Sequence, residues 1–403
     1  MKRQKIHNNI YFGLCVLIAF SLPIYIYFVP FFIVILFLNW IAEGNFKEKF
    51  LFLKSKFLLL FISYYLLYLV GMIWTINSNS GWFDLRVKLP ILAFPLIAPR
   101  LSNIIDEKKM YNILYAFVAG CFFATIICLS HACYMWFCYN ENYYTYTKLS
   151  VLLHPSYLSM YILLSVVILL FGFFKNTWKK DKSIPVLILI IWFWLFIILL
   201  QSKAGILIAS FIFLVFAVIL LVVYKKYLQI IIPLMIIVGS YYCVNHFVFT
   251  SGNSRIERAT NSILNTKIDT STVESNQARI LVWKASAEII KRNYLYGVGT
   301  GDIKDELDKM YIKMNMTGIY KEHLNAHNQY LQSALGLGIL GIIIIILMFL
   351  LPFIYSIKEK NYLYTFFLII VGLNLFVESM FETQAGVMFY AFFNVLFFIK
   401  KKE

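Results

Sequence analysis

Residues 329–355 read QYLQSALGLGILGIIIIILMFLLPFIY, without a single charged side chain. As an α-helix at ~1.5 Å per residue this stretch reaches roughly 40 Å, more than the ~30 Å hydrocarbon core of a bilayer. A helix satisfies its own backbone groups in lipid, so the run sets the fold class: a helical membrane-spanning chain.

Outward from it, the same pattern recurs along the chain. Apolar stretches run approximately over Ile10–Leu22, Phe28–Ile41, Phe57–Trp74, Leu89–Pro99, Tyr111–Trp136, Tyr157–Phe174, Pro185–Leu200, Ala204–Tyr224, Leu228–Phe249, Gln329–Tyr355, Tyr362–Phe376 and Ala385–Ile399. The first two and the fourth are the shortest, or are divided only by Pro23 and Pro30. The expectation is an all-α polytopic protein of about twelve spans: 1–249 holding spans one to nine, 250–328 a large, partly helical extracytoplasmic loop, and 329–403 spans ten to twelve. Composition agrees. Of 403 residues 61% are hydrophobic and 14% charged, with mean hydropathy +0.76, which excludes a soluble globular chain.

Lys and Arg number 36 against 20 Asp and Glu, a net charge of +16. In a soluble protein that surplus would suggest nucleic acid; here its placement follows topology instead. With a cytoplasmic N-terminus, the inner segments carry Lys2, Arg3 and Lys5, then Lys47, Lys49, Lys54 and Lys56, and later Lys175, Lys179, Lys180 and Lys182, with further basic residues up to Lys400–Lys402. The short outer connections hold only Arg86 and Lys88, Lys148, and Lys203. This is the positive-inside pattern for a membrane protein with both termini in the cytoplasm, and no nucleic-acid partner is implied.

The remaining cations lie in 250–326, where 11 basic residues face 9 acidic ones. That segment reads as a small folded extracytoplasmic insertion, helical where Arg279–Lys291 shows apolar spacing, behind a Ser-, Thr- and Asn-rich linker over 250–277. The start Met-Lys-Arg-Gln-Lys before an apolar run is similar to a signal peptide; without a small-residue cleavage site an uncleaved first helix is expected. Six cysteines show neither a disulfide framework nor a paired metal pattern.

Ionisable groups at the edge of a membrane are costly, so each is a candidate for function. Lys203, in Gln201-Ser202-Lys203-Ala204-Gly205, is either a snorkelling anchor or a cation fixed at the outer mouth for a lipid phosphate or diphosphate. His323 and His327 are four apart, a spacing for one helix face and a metal, but Leu324 stands where zinc-protease chemistry needs Glu. A single imidazole fits better: His327, in Ala326-His327-Asn328-Gln329, would take a proton from a hydroxyl at the point where the insertion re-enters the membrane, the alternative being a hydrogen-bonded His at a helix start. Arg279 presents a permanently charged fork suited to phosphate oxygens, or is an ordinary surface residue. Glu378 and Glu382 bracket the outer end of the eleventh span, spaced for one helix face if the helix continues, to pair with Lys203 or Arg279 or to support the histidine. Gly297-Val298-Gly299-Thr300-Gly301 lacks the strand–turn–helix context of a phosphate loop and reads as a turn, and the Gly336, Gly338, Gly341 series as close packing.

Taken in order, these pieces resemble the bacterial O-antigen ligase and O-antigen polymerase superfamily of membrane glycosyltransferases. They are the span count and late loop, Ser202-Lys203-Ala204-Gly205, Arg-x-x-x-Trp at Arg279–Trp283, the Gly297–Gly301 turn, His327-Asn328 before a Gly-rich span, His154-Pro155-Ser156-Tyr157, and the Glu378–Gly386 stretch. The resemblance implies transfer of a glycan from undecaprenyl diphosphate to an acceptor hydroxyl, on lipid A–core oligosaccharide or similar, at the periplasmic face without metal or cofactor. It implies His327 as base and Arg279 with Lys203 on the diphosphate, Lys203 standing where the family usually has Arg. Asn328, His323, Glu378 and Glu382 would support them. Tyr143, Tyr144 and Tyr146 would stack on sugars or belong to an interfacial belt. A polymerase joining repeat units by the same chemistry is the near rival. A transporter or flippase of the two-halves type would place its long loop inside, between spans six and seven.

Overall fold

The computed structural model describes residues 2–44, 46–50, 54–174, 180–222, 238–239 and 275–399. Apart from residues 238 and 239, the expected ninth span over 228–249 lies outside them, as does the expected linker up to residue 274. Every element among the described residues is helical, and thirteen helices have seven residues or more. They are α1 (Lys2–Ser21), α2 (Phe28–Ala42), α3 (Lys56–Gly71), α4 (Ser78–Ile104), α5 (Glu107–Tyr139), α6 (Pro155–Phe174), α7 (Lys180–Leu199), α8 (Lys203–Val222), α9 (Ser275–Arg292), α10 (Ile303–Lys313), α11 (Gln329–Lys358), α12 (Tyr362–Asn374) and α13 (Gln384–Phe398).

Five segments are long and apolar enough to cross a membrane: Lys56–Trp74, Ser78–Ile104, Glu107–Tyr139, Pro155–Gly172 and Gln329–Lys358. Shorter apolar helices accompany them, α12 and α13 included. The chain is a multi-pass membrane protein, and among the described residues the segments of full crossing length number five. The fourth stretch differs most. Expected only over Leu89–Pro99, it is the middle of the 27-residue α4, which runs through Pro90, Pro95 and Pro99. Arg86 and Lys88 therefore lie within a helix and not in a connection. Each proline removes one backbone donor, a loss that packing against neighbouring helices tolerates in membranes.

The chain divides into two compact units. The first comprises Met1–Leu22, Ile26–Ile113 and Ser262–Glu403. Within it α13 is buried along nearly its whole length and packs on α4, with Phe94 and Phe392 edge to face at 5.5 Å. A helix apolar all round belongs in such an interior position. Helix α3 packs on both α4 and α11, and Arg100 near the end of α4 pairs with Glu43 beyond α2 at 2.6 Å. Asn side chains cap three of these helices: Asn77 for α4, Asn328 for α11 and Asn361 for α12.

The second unit comprises Pro23–Tyr25 and Leu114–Asn261. Its described helices include most of α5 and all of α6, α7 and α8, with α6 packed against α7 and α8. Cys121 and Cys128 are buried free thiols here, and Cys133 and Cys138 are exposed free thiols.

Candidate active site

In α9, Ala278, Leu281, Val282, Ala285 and Ile289 recur at helical spacing and bury against Ile303, Leu307, Met310 and Tyr311 of α10, with Met316, Ile319, Ala326 and Leu335 closing the cluster. This small helical core lies in the first unit. Its purpose for the site is to hold α9 beside the chain that enters α11. Arg279 and Trp283 lie one turn apart on α9, and the Trp283 indole N–H donates to the Ala326 carbonyl at 3.1 Å. The Arg-x-x-x-Trp spacing thus has a mechanical reason: Trp283 grips the residue next to His327, and Arg279 reaches the same neighbourhood.

The short helix Thr317–Glu322 ends at His323 in the left-handed region (φ 47°), and His327 is left-handed as well (φ 44°). For a residue with a Cβ that conformation costs about 1–2 kcal/mol and persists where neighbours hold it. Here they do. The Tyr311 hydroxyl donates to the Leu324 carbonyl at 2.9 Å, the Ala326 N–H to Gln332 Oε1 at 3.3 Å, and the His327 N–H to Asn325 Oδ1 at 2.9 Å. Burial pushes the Tyr311 phenol pKa up, Asp308 adding to the effect, so it stays a neutral donor.

Next, Asn328 caps α11 and its own N–H donates to Ser379 Oγ at 3.2 Å. The Gln329 N–H donates to the Leu375 carbonyl at 2.8 Å, and Gln329 Oε1 accepts from the Phe381 N–H at 2.7 Å. The start of α11 is thereby bolted to the turn after α12. That turn delivers Glu378 between two partners: Oε2 lies 3.4 Å from His327 Nδ1, and Oε1 lies 3.4 Å from Arg279 Nη2. None of the three is sealed off; side-chain exposures are 28% for His327, 22% for Arg279 and 13% for Glu378.

Other expected members fall elsewhere. Glu382 is not on a helix face with Glu378, because α12 ends at Asn374 and a 3-10 turn, Met380–Glu382, follows. Instead of meeting Arg279, Glu382 joins Lys88 at 3.0 Å. His323 turns to Asp308, Nδ1 to Oδ2 at 2.7 Å, so the two histidines share no helix face. Among the described residues no group of His, Cys, Asp and Glu is placed to hold a metal.

The glycine turn is a packing element. Gly297 and Gly299 have positive φ, and the Val298 and Gly299 N–H groups donate to the Leu335 and Gly336 carbonyls at 2.8 and 3.0 Å. A Cβ on Gly297 would clash with the Gly336 carbonyl carbon. Opposite it, α11 is broken at Gly338 (φ 62°, ψ −148°), where the Ile339 N–H donates to the Tyr294 carbonyl. Backbone lies on backbone here, and these N–H groups are not presented to a phosphate.

Lys203 belongs to the second unit and opens α8, half-buried. Ser202 Oγ accepts from the Gly205 N–H at 3.2 Å, and a Cβ at Gly205 would clash with Ser159 of α6. Ser202 and Gly205 therefore make a tight cap.

Sequence reasoning missed Lys88, Asp84, Gln329 and Ser379. The opposite charges at 84 and 88, four apart inside an apolar run, were the available signal.

Among curated proteins, none matches the chain. Residues 185–346 match the family model described as O-antigen ligase, a range that takes in Lys203, Arg279, His323, His327 and Asn328 and ends before Glu378 and Glu382. Over residues 185–346, which hold the Arg279 and His327 gathered around one carboxylate, the chain is thus similar to the O-antigen ligase family, an enzyme family of membrane glycosyltransferases.

Proposed function

We propose that this protein transfers a glycan from undecaprenyl diphosphate to an acceptor hydroxyl, on lipid A–core oligosaccharide or a similar saccharide, at the outer face of the bacterial inner membrane. The observation that carries the reading is Glu378 set between His327 and Arg279. Facing His327 Nδ1, the carboxylate favours the tautomer with its proton there, leaving Nε2 with the lone pair of a general base. The acceptor oxygen attacks the anomeric carbon and its proton passes to Nε2. The bond to the diphosphate oxygen breaks, and the diphosphate leaves with the electron pair. Arg279, a fork of five donors, holds Glu378 through Nη2 and offers charge to the leaving oxygens.

An apolar cavity of about 430 Å³ between α11 and α12 supports a polyprenyl donor. Tyr330, three residues after His327, lines it with Ile346, Phe349, Leu368, Gly372 and Phe376. It lies along the membrane helices next to the proposed reaction site, where an isoprenoid chain would run.

The test is transfer by purified protein from a polyprenyl diphosphate-linked glycan to a saccharide acceptor. His327→Ala and Arg279→Ala should each lower transfer at least about 10²-fold while the protein remains in the membrane; full activity in either variant refutes the role given to it. The product separates a single transfer to core from the joining of repeat units. Lys203→Arg should be tolerated and Lys203→Ala should not; activity in the Ala variant would return Lys203 to a snorkelling anchor.

A further inference from the structure

In the first unit a second charged cluster lies just beyond Glu378. Lys88 of α4 has 0% side-chain exposure. Its Nζ lies 3.1 Å from Asp84 Oδ2 and 3.0 Å from Glu382 Oε1, and 4.5 Å over the ring of Tyr68. An ammonium placed there without partners would be costly, and two carboxylates with an aromatic face meet it. One of those carboxylates, Glu382, belongs to the turn that carries Glu378.

Glu382 is tied in turn to the start of α11, Oε1 accepting from Gln329 Nε2 at 3.3 Å. The other end of the Gln329 amide accepts from Phe381, and the Gln329 backbone N–H reaches Leu375. A route of direct contacts therefore runs from Lys88 through Glu382 and Gln329 to the backbone two residues after His327. Tyr64 supports the same turn, its ring 5.8 Å from that of Phe381 and its hydroxyl 2.9 Å from Ser333 Oγ.

We propose that Lys88 is a positioning residue for the transfer reaction: by holding Glu382 it fixes the turn over 378–382, and so keeps Glu378 against His327 and Arg279. The inference rests on the proposed role of His327. Without Lys88, Asp84 and Glu382 lose the cation they share, and the turn relieves its buried charge by moving towards water. Glu378 moves with it. Lys88 itself touches neither donor nor acceptor, so its loss acts on turnover and not on donor binding.

The experiment compares Lys88→Met, Glu382→Gln and the double variant in the same transfer assay, with His327→Ala alongside. Lys88→Met should lower kcat about 10- to 100-fold, the range found when an outer partner of a functional group is removed, with donor KM unchanged within about twofold. The double variant should recover most of that kcat, since the amide still reaches Gln329 and no longer needs a cation. Wild-type kcat in Lys88→Met, a loss confined to KM, or a double variant no better than the single one would each overturn the proposal. If Lys88→Met does not accumulate in membranes, Glu382→Gln alone decides: a several-fold fall in kcat at constant KM supports it, and wild-type kcat overturns it. His327→Ala keeps the two readings apart. Full activity in that variant refutes the base assignment, whereas a His327→Ala slowed by at least about 10²-fold beside a fully active Lys88→Met refutes only the role of Lys88.

Discussion

Two clusters of cations and carboxylates lie on one turn, four residues apart; their carboxylates are similarly buried, but they differ in contact length and in the burial of their cations. Around Glu378 the contacts to Arg279 and His327 are 3.4 Å long and all three side chains keep some exposure. Around Glu382 the contacts of Lys88 are 3.0–3.1 Å and the ammonium is sealed. Short contacts in a dry environment hold a structure, because breaking them strands a buried charge. Looser contacts beside water leave room for a ligand to compete, and hydrogen bonds of an active site often tighten only once substrate is bound. The same residue type therefore serves placement at 382 and chemistry at 378.

Breaking the open cluster should have the largest effect. His327→Ala is expected to lower kcat by about 10²–10⁴-fold, the range for loss of a general base, and Arg279→Ala by about 10²–10³-fold, as for loss of one group stabilising developing charge; both are read from initial rates of transfer. The paired substitution sharpens the contrast. Glu378→Gln should lower kcat by at least ~10-fold, because an amide no longer selects the tautomer, while the thermal midpoint in detergent stays where it was. Glu382→Gln should lower that midpoint as well as kcat. Equal midpoints in the two variants would erase the distinction drawn between the clusters.

Smaller effects follow further out. Gly372 faces the apolar cavity, where an added Cβ would meet Phe349 at 3.6 Å and the Tyr330 hydroxyl at 4.0 Å. Gly372→Leu should therefore fill the groove and raise KM for a long-chain polyprenyl donor several-fold, with KM for a short-chain analogue little changed. Trp283→Phe removes one hydrogen bond to the Ala326 carbonyl, worth about 1 kcal/mol, and keeps the ring. Its signature is a modest fall in thermal midpoint and in kcat, measured on the same preparations.

Much of this was legible along the chain. Arg279 and His327 stood out because permanent charge and imidazole are rare near membrane spans. Glu378 was visible as a partner for either, although not as a partner for both. Glu378 and Glu382 would share a helix face only if the helix continued, and apolar spacing does not reveal where α12 gives way to a turn. Lys88 was misassigned for a related reason: local hydropathy marks a charge as the end of a span, and α4 continues through it because Glu382, 294 residues away, neutralises it.

Sequence by itself determined the helical membrane class and the residues able to do chemistry, since both depend on side-chain type and on apolar runs longer than a bilayer is thick. Tertiary structure alone decided which carboxylate meets which cation. That choice depends on burial and on contacts between residues far apart in the chain, and no local pattern encodes either.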